Sequence, residues 1–285
     1  MTPFSMPNAS LFRKTSPSTD ELAAFDQDGY IAYPDIFTDE ARTGLIKEIQ
    51  AYKPVADFLA LDDHGRSKKG NPYAYFERPW NDRKTWSDQF IDDPFITTLL
   101  QSTIGPEYHF CHSALNIALP GSKAIGFHQD HHHWFHENPV NLAEREKYYI
   151  QILYYPNGFK KGDRSLSIIP GSHRVSPAKE VTAEKILAGD FDEQAGRALR
   201  SEQLDLAPGS LVYINARMFH AVEPKPMDSL QPYRIFFIDI FKEAGPPHRY
   251  TQDIPQEWME RATPARRTLF ERDPYTETCW TKDLG

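Results

Sequence analysis

The chain has 285 residues, of which 40% are hydrophobic and 25% are charged, and its formal net charge is −8 with a pI near 5.8. These values are ordinary for a globular protein of one large domain or two small ones, and the dispersed acidic excess argues against nucleic-acid binding. The two cysteines, Cys111 and Cys279, predict no disulfide framework, and no apolar run reaches the ~20 residues that span a bilayer. Because no secretory signal pattern is present, we expect a cytoplasmic protein that does not bind membranes.

The first part of the chain predicts helices. Residues 1–18 are rich in Ser, Thr, Pro and Asn, which predicts a flexible N-terminal arm. Ser18 and Glu21 have the spacing of a capping box, so we expect a helix that begins here and ends near Gly29. A second helix begins after Thr38, and its apolar stripe consists of Ala41, Leu45, Ile46 and Ile49.

A third helix begins at Pro94, and after Gly105 the hydrophobic pattern changes to that of β-strands. Apolar or aromatic runs predict strands over 109–119, 148–155, 165–169, 210–215 and 235–241. A helix-like insert lies at about 179–200. This order predicts a mainly β protein with a helical buttress, whose core is a double-stranded β-helix, the jelly-roll or cupin-like arrangement. We expect one domain over 19–270 and a C-terminal tail over 271–285.

A candidate metal site is formed by His128 and Asp130, which point to the same side of an extended strand because they are two residues apart. His220 lies 92 residues after His128, just past a predicted strand, and is the best third ligand. Two imidazoles and one carboxylate bind a non-haem iron(II) on one face and leave the other face open for a cosubstrate and oxygen. The spacing alone is a weak signal, because 11 histidines and 40 acidic residues produce such pairs by chance.

Arg234 begins the last apolar strand and supplies a cation that the metal ligands lack. A guanidinium binds the distal carboxylate of a 2-oxoacid through two parallel hydrogen bonds. Without the metal ligands, an arginine that caps a strand end would be the simpler interpretation. Together with them, it favours a 2-oxoacid cosubstrate.

Five segments resemble, in this order along the chain, the phytanoyl-CoA dioxygenase-like (PhyH) family of iron(II)/2-oxoglutarate oxygenases. They are Phe25-Asp26-Gln27-Asp28-Gly29-Tyr30, the segment that ends Ala118-Leu119-Pro120-Gly121, Gly126-Phe127-His128-Gln129-Asp130-His131, Pro170-Gly171-Ser172-His173 and Phe219-His220-Ala221. The likeness covers about residues 20–242. Each segment is modest alone, but the five together are specific.

The resemblance implies iron on His128, Asp130 and His220, with the distal carboxylate of 2-oxoglutarate on Arg234. It also implies that Gln129 lies near this cosubstrate. The implied enzyme consumes O2 and oxidises a C–H bond of a small metabolite or natural-product intermediate, releasing succinate and carbon dioxide. Halogenases related to the family have a small residue in place of the carboxylate, so Asp130 favours hydroxylation or another oxidative outcome.

The stretch between His220 and Arg234 looks longer than is usual in the family, which leaves Arg217 as an alternative partner for the cosubstrate. Substrate contacts are expected from residues that flank the motifs or lie in the aromatic stretch before Pro94. The candidates are Trp134, Phe135, Tyr75, Phe76 and Arg174. The neighbouring histidines, His131, His132, His133 and His136, are interpreted as hydrogen-bonding or surface residues and not as ligands.

Two other functions fit the same residues. A cupin-like protein could bind a metal or ligand without turnover, and a metal-dependent oxygenase could act without 2-oxoglutarate through the His131-His132-His133 cluster. Replacement of Arg234 distinguishes an oxygenase that does not use 2-oxoglutarate from one that does, because only the second should lose activity while it keeps its iron. The sequence does not decide between a monomer and a homo-oligomer.

Overall fold

The structure is a computed structural model that describes residues 10–61, 70–77, 89–130, 149–176, 180–243 and 256–271. Its helices are α1 (Thr19–Asp28), α2 (Asp39–Ala51), α3 (Lys53–Leu59), α4 (Pro94–Ile104), α5 (Ala183–Ala188), α6 (Asp192–Ala195), α7 (Gln256–Arg261) and α8 (Pro264–Glu271), with a 3₁₀ helix at Ser172–Arg174. Its strands are β1 (Tyr30–Tyr33), β2 (Tyr73–Glu77), β3 (Tyr108–Ala118), β4 (Ile125–His128), β5 (Tyr149–Tyr155), β6 (Leu166–Ile168), β7 (Glu202–Gln203), β8 (Ser210–Asn215), β9 (His220–Val222) and β10 (Arg234–Glu243). Within the described ranges, no helix combines the length and apolar character that a bilayer crossing requires.

The described strands form two antiparallel sheets. The larger sheet has the order β1-β8-β5-β10-β3-β2, and the smaller sheet has the order β4-β9-β6-β7. Apart from the consecutive pairs β2-β3 and β6-β7, neighbouring strands come from distant parts of the chain, as they do in a jelly roll. The predicted double-stranded β-helix with its helical buttress is therefore confirmed. The predicted insert at 179–200 contains the short helices α5 and α6 between β6 and β7.

The larger sheet separates two apolar clusters, because successive side chains of a strand point to opposite faces. On β5, one face contributes Ile150, Ile152 and Tyr154 to the cluster that also contains buried residues of helices α1 to α4. The other face contributes Tyr149, Leu153 and Tyr155 to a cluster shared with Leu166 and Ile168 of the smaller sheet. The helices therefore cover one face of the larger sheet, and the space between the two sheets is left for the site.

The helix boundaries follow the local sequence signals. The N–H of Glu21 donates to Oγ of Ser18, and the N–H of Ser18 donates to the carboxylate of Glu21 at 2.6 Å, so the predicted capping box is present. Gly29 ends α1 with a φ of 82°. Thr38 caps α2 by accepting a hydrogen bond from the N–H of Ala41 at 3.1 Å.

The described end of the predicted N-terminal arm packs against the core. Leu11 and Phe12 are only 1% and 3% exposed, and the ring of Phe12 lies 5.2 Å from that of Phe37. The N–H of Leu11 donates to the carboxylate of Asp93 at 2.7 Å. The prediction of a flexible arm over 1–18 is therefore wrong for this part, since two large apolar side chains gain more from burial than from exposure.

Candidate active site

The three predicted metal ligands meet where β4 and β9 pair in the smaller sheet. His128 is the last residue of β4, and it lies directly opposite His220, the first residue of β9. Asp130 follows two residues after His128. The potential ligand atoms of all three side chains lie within 4.8 Å of one another. Strand pairing thus joins residues that the sequence separates widely.

The carboxylate of Asp130 lies between the two imidazoles. Its Oδ1 is 3.4 Å from Nε2 of His128, and its Oδ2 is 3.2 Å from Nε2 of His220. The centroids of the two imidazole rings are 4.4 Å apart. Two histidines and one carboxylate on one side of a site are the donor set of the non-haem iron(II) oxygenases, so these residues fit that ion.

Both imidazoles are held by main-chain carbonyl groups. Nδ1 of His128 lies 2.8 Å from the carbonyl oxygen of Gly126, and Nδ1 of His220 lies 3.1 Å from that of Met218. A carbonyl oxygen only accepts, so each Nδ1 carries the proton and donates it. Each Nε2 then faces Asp130 and is the ring nitrogen available to a metal, which would take the place of the proton on it.

The carboxylate of Asp130 and the neighbouring imidazoles stabilise each other's charged forms. Burial disfavours the charged form of Asp130, but the neighbouring His220 and His128 outweigh it and hold the pKa of the carboxyl well below its usual range. Burial likewise opposes protonation of His128, yet the contact with Asp130 raises the pKa of this imidazole. A dication in the same place would replace the protons that otherwise compensate the carboxylate.

The turn after β6 holds β9 in position. The N–H of Phe219 donates to Oγ of Ser172 at 2.9 Å, and the N–H of Ile169 donates to the carbonyl of Phe219 at 2.9 Å. Gly171 adopts a φ of 84°, a conformation that favours glycine. The Pro170-Gly171-Ser172-His173 motif therefore fixes the residue that precedes His220.

The ligands open into a cavity of about 170 Å³ between the two sheets. Strand alternation explains the walls, because every second residue of β2, β5 and β10 faces inward. The lining residues are Tyr73, Tyr75, Asn116, Ile125, His128, Asp130, Tyr149, Gln151, Leu153, Tyr155, Leu166, His220, Val222, Arg234, Phe236, Ile238 and Ile240. Most of the wall is thus apolar or aromatic, with few polar groups.

Arg234 lies in this cavity wall, at the start of β10, and is only 2% exposed. Its Nη1 donates to the main-chain carbonyl of Arg164 at 2.5 Å, while its Nε is buried and has no hydrogen-bond partner within the described part of the chain. No described carboxylate lies within ion-pair distance of it. Burial lowers the pKa of the guanidinium. A buried cation with an unused donor is costly, so the site fits an anionic ligand.

The alternative arginine is placed elsewhere. Arg217 is buried, and its Nη2 donates to the main-chain carbonyl of Val175 at 2.7 Å, outside the cavity wall. Gln129 is also turned from the cavity, because its amide donates to the main-chain carbonyl of Arg217. The prediction that Gln129 lies beside the cosubstrate is therefore not supported by its side-chain position. Its contact instead ties the segment between His128 and Asp130 to the chain before His220.

The predicted substrate contacts divide by strand face. Tyr75 lines the cavity mouth and is 48% exposed, whereas Phe76, the next residue of β2, points to the opposite face and packs against Tyr52. Arg174 is exposed in the 3₁₀ helix and does not line the cavity. Phe76 and Arg174 therefore do not line the described cavity, and their contact with a substrate stays a prediction. Trp134, Phe135 and the histidine cluster at 131–133 and 136 lie outside the described residues.

Sequence reasoning missed two buried amides of the cavity. Asn116 accepts a hydrogen bond from the hydroxyl of Tyr73, and Gln151 donates one to Asp130. Both lie in strongly apolar runs. A polar residue at an inward position of a buried strand was the signal that could have indicated a role in the site. Which side of each strand faces the metal depends on pairing, which the sequence pattern does not reveal.

Comparisons with known proteins found one matching family and several solved structures of similar fold. The model of the phytanoyl-CoA dioxygenase (PhyH) family matches residues 25–225, whereas no curated protein sequence matches the chain significantly. EctD from S. alaskensis, solved with bound Fe, has a TM-score of 0.61 and 19% identity over 91% of this chain and 85% of that one. HygX from Streptomyces hygroscopicus, solved with nickel and 2-oxoglutarate, has a TM-score of 0.56 and 13% identity over 80% and 88% of the two chains.

A third solved structure is the non-heme alpha ketoglutarate dependent carbocyclase SnoK from nogalamycin biosynthesis. It has a TM-score of 0.55 and 15% identity, and the similarity covers 87% of this chain and 92% of that chain. At such low identities, these likenesses show a shared fold.

Proposed function

The chain belongs to the phytanoyl-CoA dioxygenase family, and from that premise we propose that it is an iron(II)- and 2-oxoglutarate-dependent dioxygenase acting on a small molecule. The reaction consumes O2, oxidises a C–H bond of the substrate and converts 2-oxoglutarate to succinate and carbon dioxide. Hydroxylation is the outcome that we favour.

The observation that carries this proposal is the position of Arg234 in the same cavity as the three metal ligands. Metal ligands alone would also suit a cupin-like protein without turnover. A buried guanidinium with an unused Nε in the described structure adds a carboxylate-binding group, which a 2-oxoacid needs at its far end. Arg217, which faces away from the cavity, does not offer this.

The residues of the cavity have different proposed roles. His128, Asp130 and His220 would hold the iron, which when bound supplies the oxidising chemistry. Arg234 binds and orients the cosubstrate, and the apolar wall excludes water from it. The presence of Asp130 favours oxygen insertion over halogenation, because its carboxylate occupies the position that a halide ligand would need.

The cavity supports a compact, largely uncharged substrate moiety. The described cavity of about 170 Å³ is smaller than the ~300–1,000 Å³ of most small-molecule pockets, which favours a compact substrate moiety. Apart from Arg234 and the metal ligands, its described wall carries no charged side chain. Solved structures of similar fold contain 5-hydroxyectoine in EctD and hygromycin B in HygX, both small molecules.

Anaerobic titration tests the proposal. Iron(II) followed by 2-oxoglutarate should produce the weak visible charge-transfer band of the metal chelate, and Arg234→Met should abolish the band at the same concentrations without loss of iron binding. Admission of oxygen should then give slow succinate formation, which candidate metabolites stimulate. Iron binding without any response to 2-oxoglutarate would favour the cupin-like protein or an oxygenase that does not use this cosubstrate.

A further inference from the structure

Gln151 is a buried amide in the central part of the larger sheet. It belongs to β5, pairs with Ile240 of β10 and Ile214 of β8, and is only 1% exposed. Leu153 and Tyr155, two and four residues further along the strand, line the same cavity wall, as strand alternation requires. An amide at this position costs folding free energy unless it forms hydrogen bonds.

One end of the Gln151 amide contacts the metal-binding carboxylate. Its Nε2 donates to Oδ2 of Asp130, the oxygen that also lies 3.2 Å from Nε2 of His220. An ionised carboxylate only accepts hydrogen bonds, so the nitrogen and not the oxygen of the amide must face it. The other end, Oε1, is buried and has no partner among the described residues.

This arrangement does not suit a purely structural role. A glutamine selected to stabilise the sheet would have both ends of its amide satisfied. Gln151 instead uses its only described side-chain hydrogen bond on Asp130 and leaves an acceptor unused. Its presence therefore stabilises the position of the carboxylate more than it stabilises the fold.

We propose that Gln151 is a positioning residue that holds the carboxylate of Asp130 by Oδ2 in the orientation in which it faces the two imidazoles. This rests on the proposed metal site. Residues that hydrogen-bond metal ligands typically change metal affinity by about 10–100-fold when they are replaced.

The test compares two buried amides of the same cavity. Gln151→Leu removes the hydrogen bond to Asp130, whereas Asn116→Leu removes an amide that contacts Tyr73 and whose Nδ2 is likewise unpaired in the described structure. Anaerobic calorimetry with iron(II) alone, and with Mn(II) alone, measures metal affinity. We expect an affinity loss of about 10–100-fold in Gln151→Leu and a change within about twofold in Asn116→Leu.

Thermal unfolding of the metal-free proteins separates positioning from folding. Gln151→Leu should melt at or above the temperature of the wild type, because an unpaired buried oxygen is removed with the amide. Wild-type metal affinity in a folded Gln151→Leu protein would overturn the proposal, as would an equal loss in Asn116→Leu. If Gln151→Leu does not fold, Gln151→Met is measured against the same criteria.

The metal-affinity measurements are made without 2-oxoglutarate, so they can fail separately from the proposed function. A wild type that binds iron(II) but ignores 2-oxoglutarate contradicts the proposed function and leaves the role of Gln151 to be judged by metal affinity. A wild type that binds neither metal overturns both proposals. Normal cosubstrate binding with unchanged metal affinity in Gln151→Leu overturns only the positioning role.

Discussion

His128 and His220 lie directly opposite each other on paired strands, with their ring centroids 4.4 Å apart, although they belong to distant parts of the chain. This pairing places two of the three candidate metal ligands on paired strands of the smaller sheet. The position of each imidazole is therefore coupled to the hydrogen bonds between β4 and β9. Asp130, just beyond the end of β4, completes the site.

Asp130→Ala should abolish high-affinity iron binding. The substitution removes the only anionic ligand and leaves two neutral imidazoles, so we expect the dissociation constant for iron(II) to rise by more than about 100-fold, the upper range for loss of a supporting residue. Anaerobic calorimetry measures it. Asp205→Ala, at an exposed carboxylate paired with Lys160, is the control and should bind iron as the wild type does. Retained iron affinity in Asp130→Ala would contradict the assigned ligand set.

Arg234→Met should weaken 2-oxoglutarate binding and leave metal binding unchanged. Hydrogen bonds to charged groups contribute about 1.5–3 kcal/mol each, so we expect an affinity loss of about 100-fold or more. Calorimetry with 2-oxoglutarate in the presence of Mn(II) and without oxygen measures it. Arg174→Met, at an exposed arginine of the 3₁₀ helix, is the control. The cosubstrate assignment is wrong if both variants bind 2-oxoglutarate equally well.

His173 should make the protein less stable in mild acid. Burial, helped by Arg217 and two other arginines, lowers the pKa of its imidazole from the usual 6.5 to about 4. Between these values the unfolded chain binds the proton and the folded protein does not, so the free energy of unfolding falls as the pH decreases from about 6.5 to about 4. The full loss corresponds to about 3 kcal/mol.

Urea unfolding of His173→Gln at pH 7 and at pH 4.5 checks this dependence. Glutamine does not titrate and retains a donor for the main-chain carbonyl of Asp26, which His173 Nε2 contacts at 3.3 Å. The stability deficit of the variant should therefore be smaller at pH 4.5 than at pH 7. Other histidines titrate in both proteins and cancel in the difference. An identical deficit at the two pH values would show that His173 titrates normally in the folded state.

Gly29→Ala should destabilise the fold by about 2–4 kcal/mol. A Cβ at this position would lie 2.4 Å from Nδ1 of His173, and the φ of 82° already disfavours alanine. Gly196→Ala is a matched control, since Gly196 has a φ of 71° and open space around it, so only the backbone cost of about 1 kcal/mol remains. Urea unfolding compares the two variants, and equal destabilisation would exclude the contact with His173.

Much of the fold was predictable because its signals are local. The capping box of Ser18 and Glu21, the cap at Thr38 and the glycine end of α1 depend on residues a few positions apart, and all three are present in the structure. The family likeness was predictable for a similar reason, since its short segments are turns and strand ends. The matched family model now confirms it.

The sequence alone thus determined both ends of α1, the starts of α2 and α4, the strand-rich core and the residue types available to hold a metal and a carboxylate. Tertiary structure decided which of them share one cavity. It paired His220 with His128 and placed Arg234, but not Arg217, in the cavity wall. It also placed Tyr75, but not Phe76, in that wall and brought Gln151 into contact with Asp130. The reason is that strand register determines which face a side chain occupies, and a shift of one residue reverses it. Register is set by contacts between distant segments, which no local pattern records.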